Sequence, residues 1–243
     1  MTDTGTGAGT VARAEIHHQH RDVNGGWLRP AVFGAMDGLV SNFALIAGVA
    51  GGTADTRIIS LAGVAGLAAG AFSMAGGEYV SVASQRELAL AEIDVERREI
   101  ERHPEAEEDE LAQLYMARGV DAVTAKEVAR QISRDPEEAL VVHTRAELGV
   151  DPHDLPSPVV ASVSSFLSFS FGALVPLLPY LLGVRGLWIS AIVSMAALFG
   201  AGAVVSRVTA RSWWFSGLRQ LLVGAVAAAL TWGLGTLIGA SGL

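Results

Sequence analysis

Five stretches of this chain, about 31–52, 57–82, 159–183, 187–208 and 217–240, are each long and apolar enough to cross a lipid bilayer. A spanning helix needs about 20 mostly apolar residues. Inside hydrocarbon every backbone N–H and C=O must find a partner within the protein, which leaves helices or closed barrels. These are continuous apolar runs without two-residue alternation, so the period points to helices. The chain therefore reads as an all-α, polytopic membrane protein with five transmembrane helices. Its 28 glycines suit close packing of helices in lipid. There is no cysteine, which excludes disulfides, thiolate metal sites and cysteine nucleophiles. The first 22 residues are polar and lack an apolar core, so no signal peptide is expected there.

The charge is concentrated between spans two and three. Residues 86–154 hold 19 of the chain's 25 carboxylates against 9 basic residues, a balance of −10, while the remainder of the chain carries +2. From Leu155 to Leu243 there is no Asp or Glu. The expected division is a cytosolic tail over 1–26, helices 1 and 2 over 27–85, a cytosolic helical metal-binding domain over 86–156, and helices 3–5 over 157–243. Span two is expected to continue as one helix to about Arg102, since no breaker precedes Pro104. Pro104 opens a second helix closed by Gly119, Asp121 caps a third, and Asp135-Pro136 starts a fourth that ends at Gly149. The run DPHDLPSP leads back to the membrane.

The distribution of arginine orients the spans. Arg13, Arg21 and Arg29 precede span one, Arg86 follows span two, and Arg207, Arg211 and Arg219 flank the loop between spans four and five. The other side carries Arg57 and Arg185. By the positive-inside rule, the N-terminus and the acidic block face the cytosol, with Trp213 and Trp214 in an interfacial belt. Arginine outnumbers lysine 16 to 1, which fits a GC-rich genome and, with the orientation, a bacterial plasma membrane.

Glu92, Glu96, Glu99 and His103 follow a 4, 3, 4 spacing and so form one stripe on a helix. Like charges so placed repel unless a cation neutralises them. Glu107 and Glu110 share a face of the next helix, and His143 and Glu147 share a face of the last. This is an oxygen-rich set suited to divalent cations, with imidazole widening the choice toward iron, cobalt or zinc. A solvated acidic face is the bland alternative. Within the spans, Asp37 and Glu78 are the two acids, and an ionisable group there costs a few kcal/mol and ordinarily lines a pathway. Glu78 also suits the cytosolic interface, where a charge is cheap. Met74, on the same face as Glu78, is either a soft ligand or packing. Gly34/Gly38, Gly48/Gly52 and Gly66/Gly70 are spaced for helix contact, plausibly at a dimer interface. Pro176 and Pro179 suggest a kink in span three, with carbonyls freed toward a pathway. His17, His18 and His20 could bind metal, but fit a polar tail better.

The stretches DGLVSNFALIAGVAGG, AGAFSMAGGEYVSVASQRE, ERREIERHPEAEEDELAQLYMARG, HTRAELGV and PLLPY together resemble the vacuolar iron transporter family over about residues 27–240. The resemblance implies a five-span homodimer with its path at the two-fold interface. It also implies movement of Fe²⁺, and often Mn²⁺, out of the cytosol in exchange for protons. The family's span-one aspartate falls on Asp37 and its span-two methionine on Met74. Its paired glutamates fall on Glu96, Glu99, Glu107 and Glu110, and its last glutamate on Glu147. Two departures stand out. Where some members carry a span-two glutamate this chain has Gly66, and Glu78 is the candidate to take its place. Where the family has a methionine pair this chain has His143 and Thr144, which makes a harder N/O site.

The function expected is thus a divalent-metal transporter in which a cytosolic glutamate cluster collects metal for a membrane site at Asp37, Met74 and Glu78. Metal ions, with Zn²⁺ and Co²⁺ as further candidates, protons, the bilayer and a second copy are the expected partners. No prosthetic group, enzyme activity or nucleic-acid partner is expected. The alternatives are a membrane-anchored ferroxidase and a metal sensor without flux. The first is weakened by the lack of Glu-x-x-His pairs at the metal-facing positions, the second by the intramembrane Asp37.

Overall fold

The computed structural model describes residues 26–209 and 211–241, so Arg13, Arg21, His17, His18 and His20 lie outside the described residues. The described residues form eight α-helices and one π turn, joined by short connections. Helix α1 spans Leu28–Gly52, α2 Thr56–Arg102, α3 Pro104–Ala117, α4 Ala122–Ile132 and α5 Pro136–His143, which runs into a π turn over Thr144–Leu148. Helices α6 (Pro158–Leu181), α7 (Leu187–Thr209) and α8 (Trp213–Ser241) complete the chain. Helices α1, α2, α6, α7 and α8 contain segments long and apolar enough to cross a membrane. At 1.5 Å per residue α2 is about 70 Å long, more than twice the roughly 30 Å of a hydrocarbon core.

Helix α1 is the hub of the apolar bundle, packed against α2, α6, α7 and α8. Its most extensive packing is with α6. A Cβ on Gly38 would stand 2.2 Å from the Phe169 carbonyl oxygen, and one on Gly172 would stand 2.1 Å from that of Ala35. At its other end α1 meets α8, where a Cβ on Gly235 would lie 1.8 Å from the Gly48 oxygen. The Gly34/Gly38 and Gly48/Gly52 pairs are thus spent on packing within the chain, and Gly66 and Gly70 face Leu45, Asn42 and Phe169. The close contact that their spacing predicts is made within this chain, since spacing alone identifies a smooth helix face without saying which helix covers it.

Hydroxyl and amide side chains join the helices where apolar packing gives no direction. Thr231 Oγ1 donates to the Ala44 carbonyl at 2.6 Å, Ser164 Oγ to that of Trp27 at 2.8 Å, and Ser162 Oγ to that of Ala75 at 2.9 Å. Pro176 and Pro179 lie inside α6, and the Pro176 carbonyl accepts from Ser190 Oγ at 2.6 Å. Trp213 and Trp214 are the first residues of α8, and both are exposed.

The polar half of α2 carries the three short helices. Asp121 accepts from the N–H groups of Val123 and Thr124, and Asp135 from that of Glu137, while Pro104 and Pro136 fill first-turn positions. Leu111 and Ala112 of α3 pack on Ala129 of α4, and Ala139 and Leu140 of α5 pack on Ile93 and Ile100 of α2. The last helix does not continue regularly to Gly149. It widens at Thr144, whose Oγ1 bonds the Leu140 carbonyl at 2.8 Å, and ends on Gly149 at a left-handed φ of 67°.

Two glycine substitutions separate close approach from mere helix propensity. Gly38→Ala forces backbones apart and is expected to cost about 1–3 kcal/mol. Gly233→Ala meets nothing within 4 Å and is expected to be neutral or to stabilise by up to about 1 kcal/mol. Thermal melting of the detergent-purified protein measures both.

Candidate metal centre

Packing of α5 on α2, and of α3 alongside, brings carboxylates from three elements to one imidazole. His143 is fully buried, and its Nδ1 lies 2.9 Å from Glu147 Oε1, 3.1 Å from Glu96 Oε1 and 3.6 Å from Glu107 Oε2. The π turn sets the first of these distances, because it carries Glu147 round to the His143 ring. Ligand atoms of Glu96, His143 and Glu147 all lie within 4.8 Å of one another. The Glu96 and Glu107 side chains are largely buried, while Glu147 lies at the exposed edge of the cluster.

Donors are in short supply here. A neutral imidazole with its proton on Nδ1 offers one N–H to three carboxylates. Among the described residues, Glu96 Oε1 is buried without a hydrogen-bond donor and His143 Nε2 has no partner. Burial pushes the Glu96 carboxyl up to about 7, with Glu147, Glu107 and Glu110 adding to the rise and His143 opposing it. Burial likewise raises the Glu107 carboxyl, with Glu110, Glu147 and Glu99 adding to it and His143 opposing. Four groups that can each give one ligand atom, and a deficit of positive charge, make a place for a divalent cation.

The other expected ligands stand further out. Glu110 is exposed and Glu99 half-buried; both act on Glu107 through their charge, and Glu99 lies 3.9 Å from His103 Nε2. Glu92 is exposed, one turn outside the cluster. Of the stripe read from the sequence, Glu96 is the member that reaches His143.

A second site lies within the apolar bundle. A cavity of about 270 Å³ is walled by Asp37, Ser41, Asn42 and Leu45 from α1, Gly66, Gly70, Ser73 and Met74 from α2, and Phe169 from α6. Asp37 and Met74 therefore line one cavity, as their spacing could not reveal. Glu78 is not among the lining residues. Its carboxylate is mostly buried and lies 3.6 Å from Nη1 of the exposed Arg29.

A profile of the VIT family matches residues 28–236, a stretch that contains both sites. The chain belongs to the VIT family. This VIT-family chain is 40% identical over 215 residues to the vacuolar iron transporter of Acanthamoeba castellanii, covering 87% of this chain and 78% of that one. It is 30% identical over 229 residues to vacuolar iron transporter 1 of Oryza sativa subsp. japonica, covering 92% and 91%. Against vacuolar iron transporter 1 of Arabidopsis thaliana the identity is 30% over 217 residues, covering 88% and 87%.

Sequence reasoning passed over Ser41, Asn42 and Ser73 as site residues. The available signal was their polarity inside apolar runs, with Ser41 one turn from Asp37 and Ser73 beside Met74.

The raised Glu96 pKa gives the cluster a pH signature. A carboxyl whose folded pKa lies above its unfolded value of 4.5 adds stability below about pH 4.5 and loses it as pH rises through about 7. Metal-free protein is therefore expected to lose stability from this group between those limits, and Glu96→Gln to blunt the loss. Thermal melting of the full chain in chelator at pH 5 and pH 8 checks the sign.

Proposed function

We propose that this chain transports divalent metal, Fe²⁺ and also Mn²⁺, out of the cytosol in exchange for protons, and works as a homodimer. The observation that carries the reading is the meeting of Asp37 and Met74 in one cavity among membrane-length helices. An ionisable group at such a place costs a few kcal/mol and is characteristic of an ion pathway. A carboxylate beside a thioether suits a borderline cation such as Fe²⁺ better than an alkali ion. The names of the relatives support iron as the cargo.

The arginine asymmetry supports a cytosolic position for the block over 86–156, with Arg29, Arg86, Arg207, Arg211 and Arg219 on the same side. In this orientation the cluster of Glu96, Glu107, His143 and Glu147, with Glu99 and Glu110 at its edge, collects metal and raises its concentration near the mouth of the path. Glu92 contributes long-range attraction alone. His143 in place of sulfur ligands admits Zn²⁺ and Co²⁺ to this cluster. Glu78, beside Arg29, stands at the cytosolic end of the path.

Metal then occupies the cavity at Asp37 and Met74. Protons reaching Asp37 from the far side neutralise its carboxylate and lower its hold on the ion. A second copy closing the open side of this cavity is supported by Asp37, which the chain covers only in part and which lipid would leave unsolvated. The relatives are named for the vacuole; for this arginine-rich chain we propose a bacterial plasma membrane with the same sidedness.

Metal flux into proteoliposomes under an imposed pH gradient tests the reading. Asp37→Ala is expected to abolish Fe²⁺ and Mn²⁺ flux while leaving metal bound at the glutamate cluster; wild-type flux in that variant would sink the model. Glu107→Ala combined with Glu110→Ala is expected to weaken metal binding of the full chain by about 10-fold or more, read by calorimetry, with residual flux at high metal.

A further inference from the structure

The cavity that holds Asp37 and Met74 has another polar wall, and that wall is incompletely bonded. Asn42 is 2% exposed, and it is held from one side: its Nδ2 donates to the Ala173 carbonyl at 2.6 Å. A carbonyl can only accept, so the NH₂ end of the amide faces Ala173 and the oxygen is turned away from it. That oxygen, Oδ1, is buried and has no hydrogen-bond donor among the described residues. It faces Gly66, where a Cβ would stand 2.9 Å away. Glycine at 66 thus sets no side chain of its own against the amide oxygen, and the space there is taken by Leu45, whose Cδ2 would lie 2.3 Å from the same Cβ; all three residues line the cavity.

A buried amide oxygen without a partner loses its hydration and gains nothing in exchange. Yet the Nδ2 bond holds it in this orientation. An amide oxygen is a hard, neutral donor of the kind that completes the shells of divalent cations. Asp37, Ser41, Ser73 and Met74 line the same cavity.

We propose that Asn42 Oδ1 is a direct ligand of the divalent cation that occupies this cavity. The proposal rests on the transport reading above and adds to it a ligand without charge. The Nδ2 bond to Ala173 aims the oxygen, Gly66 adds no side chain in front of it, and the partly exposed Leu45 side chain is what an entering ion displaces.

Two substitutions split the aiming role from the ligand role. Asn42→Leu keeps the volume and removes both functions. Asn42→Asp keeps an oxygen but has no NH₂ to give Ala173. For Mn²⁺ flux by the full chain in liposomes, Asn42→Leu is expected to raise KM about tenfold, with Asn42→Asp at or below the wild-type KM. Equal losses in both variants would reduce Asn42 to a packing residue, and an unchanged KM in Asn42→Leu would also overturn the proposal. Should Asn42→Leu fail to fold, Asn42→Asp decides alone, since a comparable loss there overturns it. Mn²⁺ binding to detergent-purified full chain carrying Glu107→Ala and Glu110→Ala is expected to follow the same order without any flux. Binding in that order with no wild-type flux would overturn the transport reading alone. Flux and binding indifferent to position 42 would overturn the ligand role alone.

Discussion

At Gly38 and Gly172 the backbones of α1 and α6 come so close that neither residue could carry a methyl group without the helices parting. Lipid gives helices no hydrophobic reason to associate, so contact of this kind, with a few interhelical hydrogen bonds, is what holds such a bundle. The cavity depends on it directly. Asp37 and Asn42 flank the α1 side of the contact, and Phe169 and Ala173 flank the α6 side, so the packing that joins the helices also fixes the polar walls. The bond from Asn42 to Ala173 crosses the seam one turn beyond Gly38.

The glutamate cluster is held together by a different balance. Here packing is supplied by ordinary apolar contacts, Ile93 and Ile100 against Ala139 and Leu140, and these bring mutually repelling groups together. The Glu96 carboxyl is raised by its burial first, with the charges of Glu147, Glu107 and Glu110 adding to the rise. Buried His143 offsets part of it with a single N–H. Stability of the metal-free fold and readiness for a cation are therefore opposed, a common situation at sites where charge is assembled before its counterion arrives.

Much of this was legible in the residues. Apolar run length gave the five long helices, and Pro104, Asp121 and Asp135 marked the starts of the short ones because caps are local chemistry. Asp37 could be picked out because an acid in an apolar run has few innocent explanations. What could not be read was partnership. The 4, 3, 4 spacing placed Glu92, Glu96 and Glu99 on one stripe, but only contact with α5 shows that Glu96 alone reaches His143. The glycine pairs gave smooth faces without naming the helices that cover them. Asn42 counted only as a polar residue in an apolar run, since whether a buried amide has spare bonding capacity depends on the helix opposite.

The unbroken course of α2 has a geometric consequence. Met74 and Glu96 lie 22 residues apart on one continuous helix, about 33 Å along its axis and within about 40° of the same azimuth. Such a strut keeps the two places in register and also keeps them apart, so along this helix no flexing can hand an ion from one ligand shell to the next. In the transport cycle proposed above, arrival at the bilayer is then a separate capture event, governed by local concentration and diffusion, and a small tilt of the strut at either end swings the other sideways.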